Sequence, residues 1–172
     1  MARRLALNPD ICYMLGLHAC NRRAQSAVVT AVGSDALVER FVKIAVQQLG
    51  IEPSKILIRD LGTRKSAFFY NSKLRKHLDS ALERKEHIFK YRNEYSASYF
   101  AALFDCNGVT GKDGTFIGRL SALDSLTLER LGFHTLTKRG RCYIANSLDF
   151  MLFIKPFSVA IAHQPGYEQD PC

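Results

Sequence analysis

The chemistry this sequence offers most plainly is that of cations placed on strands. Arg22, Arg23, Arg59, Arg64, Lys65, Lys112, Arg119, Lys138, Arg139 and Arg141 fall on or beside segments that read as strands or hairpin turns. A guanidinium or ammonium carried on a β-ribbon can neutralise a phosphate, and either can also pair with O6 and N7 of guanine. Lys138-Arg139-Gly140-Arg141 is the densest group. The chain as a whole carries a net charge of +8 at pH 7 and a pI near 9.4. Such an excess favours a polyanionic partner, nucleic acid ahead of an anionic membrane surface.

Other chemistries lack their residues. The cysteines, Cys12, Cys20, Cys106, Cys142 and Cys172, form no CxxC pair, so a zinc site of ordinary spacing is not indicated. Their odd number argues against a complete disulfide framework and for buried free thiols. There is no glycine-rich phosphate loop followed by Lys-Ser/Thr, no HExxH and no nucleophile-elbow pattern. His18 and His87 read as packed or solvated side chains. The longest apolar stretch, 150–161, is interrupted by Lys155 and Pro156 and falls short of a membrane span. Asn8, Pro9 and Asp10 cut off the N-terminal apolar stretch too early for a signal peptide. A soluble, intracellular protein with no membrane partner is the expectation.

The elements that must position the cations come in two sets. Cys12-Tyr-Met-Leu-Gly-Leu-His-Ala-Cys-Asn21 matches Ser98-Tyr-Phe-Ala-Ala-Leu-Phe-Asp-Cys-Asn107 without gaps. Tyr13 aligns with Tyr99, Gly16 with Ala102, Leu17 with Leu103, Cys20 with Cys106 and Asn21 with Asn107. Leu49-Gly50-Ile51 is echoed by Leu131-Gly132-Phe133, and Tyr70-Asn71-Ser72 by Ala145-Asn146-Ser147. The spacing shrinks along the chain: Asn21 to Asn107 is 86 residues, Gly50 to Gly132 is 82, Asn71 to Asn146 is 75. An internal duplication with shortened loops leaves this pattern.

Within the first set, Pro9-Asp10 opens a helix running to about residue 20. A strand follows over 25–32, then a helix capped by Ser34 and stopped by Gly50. Segments 55–61 and 65–70 form a hairpin around Gly62-Thr63-Arg64, and a helix spans 73–85. A second strand before the middle helix is expected but not visible. The second set repeats the order in less space: helix 94–106, hairpin 109–119 turning at Gly111-Lys112-Asp113-Gly114, helix 121–131, hairpin strands 134–138 and 141–145, and helix 147–153. The division is 1–87 and 88–163, with a solvated connector over 86–94 and an extended tail over 164–172.

The two matched segments resemble the LAGLIDADG motif of the homing endonucleases. Phe100-Ala-Ala-Leu-Phe-Asp-Cys-Asn-Gly108 follows it well and Met14-Leu-Gly-Leu-His-Ala-Cys-Asn-Arg22 more loosely. The resemblance implies an α+β fold of two pseudo-symmetric αββαββα halves, with antiparallel sheets forming a saddle over DNA. The motif helices would meet at the central interface, where Gly16, Ala19, Cys20, Ala101, Ala102 and Cys106 are small enough for close approach.

The resemblance also implies an acidic residue at the end of each motif helix, holding a divalent metal at the scissile phosphates. Here both positions are amides, Asn21 and Asn107. An amide oxygen can ligate a cation but supplies no charge, and magnesium prefers carboxylates. The expectation is a degenerate site with no metal and no cleavage. Asp105, two residues and about 200° around the helix from Asn107, is assigned a structural role; Asp60 and Asp113 are off-axis candidates. Asn107-Gly108 is a deamidation-prone pair. Double-stranded DNA is the expected partner and a monomer the simplest state. Structured RNA, as for an intron maturase, and residual magnesium-dependent nuclease activity are the alternatives.

Overall fold

A computed structural model of the chain describes residues 6–22, 27–112 and 114–162. Helix α1 (Pro9–Asn21) starts where Asn8 accepts a hydrogen bond from the Ile11 amide, with proline at the first turn. Strand β1 (Val28–Gly33), helix α2 (Asp35–Gln47), strands β2 (Leu57–Asp60) and β3 (Lys65–Tyr70) and helix α3 (Ser72–Glu83) complete the first set. A short helix α4 (Lys85–Ile88) leads to α5 (Glu94–Asn107), whose start is a capping box between Asn93 and Ser96. Then come β4 (Gly108–Gly111), β5 (Gly114–Gly118), α6 (Ala122–Arg130), β6 (Thr135–Lys138), β7 (Arg141–Ile144), α7 (Ser147–Ile154) and α8 (Val159–Ala162). Among the described residues no helix is long and apolar enough to cross a membrane.

The repeated signals sit at corresponding places. Ser34 and Ser121 cap α2 and α6, accepting from the amides of Leu37 and Asp124. Gly50 and Gly132 follow the same helices at φ of +66° and +88°, where a side chain would be strained. The chain then turns back, and Ile51 N–H donates to the Ala45 carbonyl as Phe133 N–H does to Leu128. Asn71 and Asn146 stand at the starts of α3 and α7.

Both sheets are antiparallel, in the orders β1-β3-β2 and β4-β5-β7-β6. Placing β1, β3 and β2 on β5, β7 and β6 leaves the first sheet without a counterpart of β4. The first half therefore departs from the αββαββα plan among the described residues, whereas the second follows it. Between Asn21 and Val28 the chain has only six residues, of which 23–26 lie outside the description, whereas Asn107 runs directly into β4. Residues 25 and 26 of the expected first strand, Arg23, Asp113 and the tail 164–172 fall outside it as well.

α1 and α5 pack against each other through the centre. From Ile11 to His18 and from Ser96 to Phe104 every residue is buried, so these helices are covered on all sides rather than along one stripe. The inner faces of the sheets, with Val29, Ala31, Ala67 and Phe69 from one and Thr115, Ile117, Cys142 and Ile144 from the other, close over the core. The connector is not a solvated strap: Phe89 is buried, its ring stacked on Tyr99 at 4.3 Å between centroids. An aromatic side chain of this size contributes a few kcal/mol when removed from water. That gain outweighs the charged character of its neighbours in sequence.

Candidate nucleic-acid interface

The motif helices come into close contact at Gly16. A β-carbon there would stand 2.6 Å from both the Ala102 β-carbon and the Tyr99 carbonyl oxygen. Two turns of contact follow on the shared face. Ser98 donates to the Pro9 carbonyl at 2.6 Å, and Tyr13 donates to Asp105 at 2.6 Å. Toward the C-terminal ends, Cys20 and Cys106 are hydrogen-bonded neighbours, which together with burial pushes the Cys20 thiol well above its usual range. Each asparagine reaches across: Asn21 Nδ2 lies 3.9 Å from Cys106 Sγ, and Asn107 hydrogen-bonds Cys20. Asn21 Nδ2 also donates to the Leu17 carbonyl at 2.9 Å. Ala19 lines a neighbouring cavity and Ala101 is buried.

At the helix ends the two amides bring no charge, and Asp79, Asp105 and Asp124 nearby are engaged. Asp105 accepts from Tyr13, from the Ser158 hydroxyl and from the amides of Val159 and Ala160, so it caps α8. Burial raises its pKa against the pull of these bonds. Asp124 takes Lys85 at 2.7 Å, the Tyr99 hydroxyl at 2.9 Å and the Ser121 hydroxyl. Asp79 is shared by His18 at 2.9 Å, Arg22 at 3.2 Å and Arg75 at 3.5 Å. A cavity of about 390 Å³ beside Asn107 is walled in part by Arg22, Lys85 and Arg119. Glu83 and Asp124 line the same cavity, so cations and carboxylates meet at the end of the axis.

The outer faces of the sheets, turned away from the helices, hold the rest of the site. Strand register fixes them. Val28 is opposite Tyr70, Thr30 opposite Phe68 and Val32 opposite Ser66, while Leu57 and Arg59 join this face from β2. On the second sheet Val109, Phe116, Tyr143 and Leu136 are aligned across four strands, with Lys138 and Arg141 paired two residues on. The guanidinium of Arg59 lies 4.8 Å over the Phe68 ring, and that of Arg141 4.9 Å over Phe116. Stacking fixes the direction of a long side chain and lowers the entropy it loses on contact.

The predicted cations divide accordingly. Arg59, Lys138 and Arg141 occupy the outer faces. Arg64, Lys112 and Arg139 sit in the hairpin turns, Arg139 at φ of +51° before Gly140 at +73°, a two-residue turn of the kind that matches strand twist. Arg119, also at positive φ, is exposed beside that turn, its amide donating to the Gly140 carbonyl. None of these seven has a carboxylate partner among the described residues. Arg22 is held by Asp79. Lys65 lies on the opposite, helix-side face of its strand, 3.0 Å from Asp35. Period-two alternation separates it from Ser66 and Phe68. The aromatic supports Phe68 and Phe116, and Tyr70 and Tyr143 beside them, went unnoticed in the sequence. Once the register is known, alternation with buried residues identifies Tyr70, Phe116 and Tyr143, whereas Phe68 is itself buried beneath Arg59.

No protein-family model and no curated protein matches the chain. Solved structures do. The chain matches I-DmoI in complex with DNA and Mn at a TM-score of 0.66 and 18% identity, over 85% of this chain and 96% of that one. A structure of mesophilic variants of the homing endonuclease I-DmoI aligns at 0.66 and 17%, over 91% and 97%. I-DmoI in complex with DNA and Ca aligns at 0.64 and 18%, over 87% and 88%. The chain has the single-chain LAGLIDADG homing-endonuclease fold, α+β with two antiparallel sheets.

Proposed function

We propose that this chain is a double-stranded DNA-binding protein that reads sequence through the outer faces of its two sheets and leaves the duplex uncut. The observation that carries the reading is the pair of preset arginines, Arg59 on Phe68 and Arg141 on Phe116, one on each sheet. They stand on faces whose strand residues include no acidic side chain. The hairpin-tip cations Arg64, Lys112 and Arg139 extend the positive surface outward, where the backbone of a bound duplex would pass. The DNA complexes of I-DmoI support the same partner.

Lack of cleavage follows from Asn21 and Asn107. Metal-assisted hydrolysis requires a cation held firmly enough to generate hydroxide and stabilise developing charge. Two neutral amides, with Asp79, Asp105 and Asp124 already committed, do not supply that. The chain retains the binding half of the fold's activity and lacks the groups for the chemical half.

The test is a titration of the purified protein with random-sequence duplex DNA and with a structured RNA over a salt series. Duplex binding should weaken linearly in log–log form, by about 0.9 for each phosphate neutralised. Tighter binding to RNA at every salt concentration would contradict the proposal and favour a maturase-like role.

A further inference from the structure

The outer sheet faces are unusually apolar for surfaces that meet DNA. Tyr70 and Leu136 are 67% exposed, Val109 49% and Leu57 48%. Val28 and Val32 accompany Tyr70 and Leu57 on the first sheet, and Phe116 and Tyr143 flank Leu136 on the second. Among the described residues, the strand positions on these faces include no Asn, Gln, Asp or Glu. The Thr30 hydroxyl is already turned to the Ala67 carbonyl at 3.2 Å.

That inventory restricts what can be read. In the major groove adenine is matched by the amides of Asn or Gln, and cytosine N4 by a carboxylate. Neither is present among the described outer-face strand residues; Asp60 of β2 is paired with Lys65 on the other face. Guanine can be met by Arg59, Lys138 and Arg141. The remaining distinctive group is the C5 methyl of thymine, the one apolar feature on a base edge in that groove, and apolar side chains are its partners.

Resting on the DNA-binding reading above, we infer that the chain selects its duplex through thymine methyls, with Leu57 and Tyr70 of one sheet and Val109 and Leu136 of the other as the specificity-determining residues. The arginines add guanine at flanking positions. The same reasoning favours DNA over RNA, because uracil lacks the methyl and an RNA duplex hides its base edges in a deep, narrow groove. The four side chains contribute little to the core, so their chemistry can be altered without unfolding the protein.

The experiment uses a random duplex pool carried through rounds of retention on the protein. The retained pool is then re-amplified with dUTP in place of dTTP, which removes only the methyls. Retained sequences should be rich in thymine, and the uracil form should bind more weakly by about fourfold for each methyl contacted. Leu57→Ser and Leu136→Ser should each narrow that gap. Equal affinity for the two forms, with duplex binding intact, overturns this inference alone. Failure to retain any duplex overturns the DNA-binding reading beneath it. A gap that both variants leave unchanged overturns the assignment to these residues.

Discussion

The hydroxyl of Tyr13 on the first motif helix donates a 2.6 Å hydrogen bond to Asp105 on the second. Arg40 lies 3.7 Å over the same tyrosine ring and donates to the Phe157 carbonyl. Asp105 in turn caps α8. One buried cluster thus ties α1, α2, α5 and the C-terminal helix together. It also explains why the acidic residue nearest the end of the second motif is unavailable for metal.

Tyr13→Phe removes one donor to a carboxylate in a closed site and keeps the ring under Arg40. The expected cost is about 1.5–3 kcal/mol of stability, the usual range for a hydrogen bond to a charged group. Urea denaturation should show it, with duplex affinity unchanged when measured well below the transition.

Gly16→Ala should be costlier than its single methyl suggests. The new carbon would meet the Ala102 β-carbon and the Tyr99 carbonyl oxygen, both at 2.6 Å, so the helices must separate. A loss of about 1–3 kcal/mol is expected. Ala102→Gly in the same chain relieves one clash and leaves the backbone one. A partial rescue in a double-mutant cycle is the predicted result.

Stability should fall on mild acidification because of His18. Burial outweighs the pull of Asp79 and lowers the His18 pKa from its ordinary 6.5. Burial also opposes the charge of Asp79, yet its hydrogen bond to His18 and the charges of Arg22 and Arg75 keep its pKa low. Asp79 is already neutralised by the two arginines, so His18 stays neutral. The unfolded chain then binds the proton more readily, and stability is lost as pH falls from about 6.5 toward the lowered folded value. Denaturation midpoints between about pH 5 and pH 8 should slope downward into acid. His18→Gln should flatten that slope.

The opposite faces of the sheets give an internal control for binding. Arg141→Ala and Arg59→Ala should each cost about 1–3 kcal/mol on a selected duplex and relax its sequence preference. Lys65→Ala, on the helix-side face with Asp35, should leave affinity and salt slope as they are. Fluorescence anisotropy at two salt concentrations separates these outcomes.

The paired glycines Gly50 and Gly132 and the capping Ser34, Asn71 and Ser121 were legible because each is a local backbone requirement written in one residue type. The close approach at Gly16 and the structural role of Asp105 followed from residue size and from helix geometry. Three features were not legible. Phe89 sits among charged residues, and only its three-dimensional neighbour Tyr99 explains its burial. Among the described residues the first sheet has no counterpart of β4, where the pattern of two strands before each middle helix predicts one. Lys65 was grouped with the other cations because one position of strand phase decides its face, and phase is set by pairing with β1 and β2.

Asn107-Gly108 should resist deamidation despite its sequence. The Gly108 amide, the nucleophile in that reaction, donates to the Phe104 carbonyl, and the Phe104 ring would lie within 2.2 Å of any β-carbon at Gly108. Peptide mass mapping after prolonged incubation should find the native Asn107, with the unfolded chain converting faster.

The central claim is tested most directly by incubating the protein with a selected duplex in the presence of magnesium and, separately, manganese, then resolving the products on native and denaturing gels. A shifted band on the native gel with full-length strands on the denaturing gel is the predicted result. Metal-dependent strand scission would contradict it, and scission that persists in Asn21→Ala and Asn107→Ala would place metal-holding carboxylates elsewhere in the site.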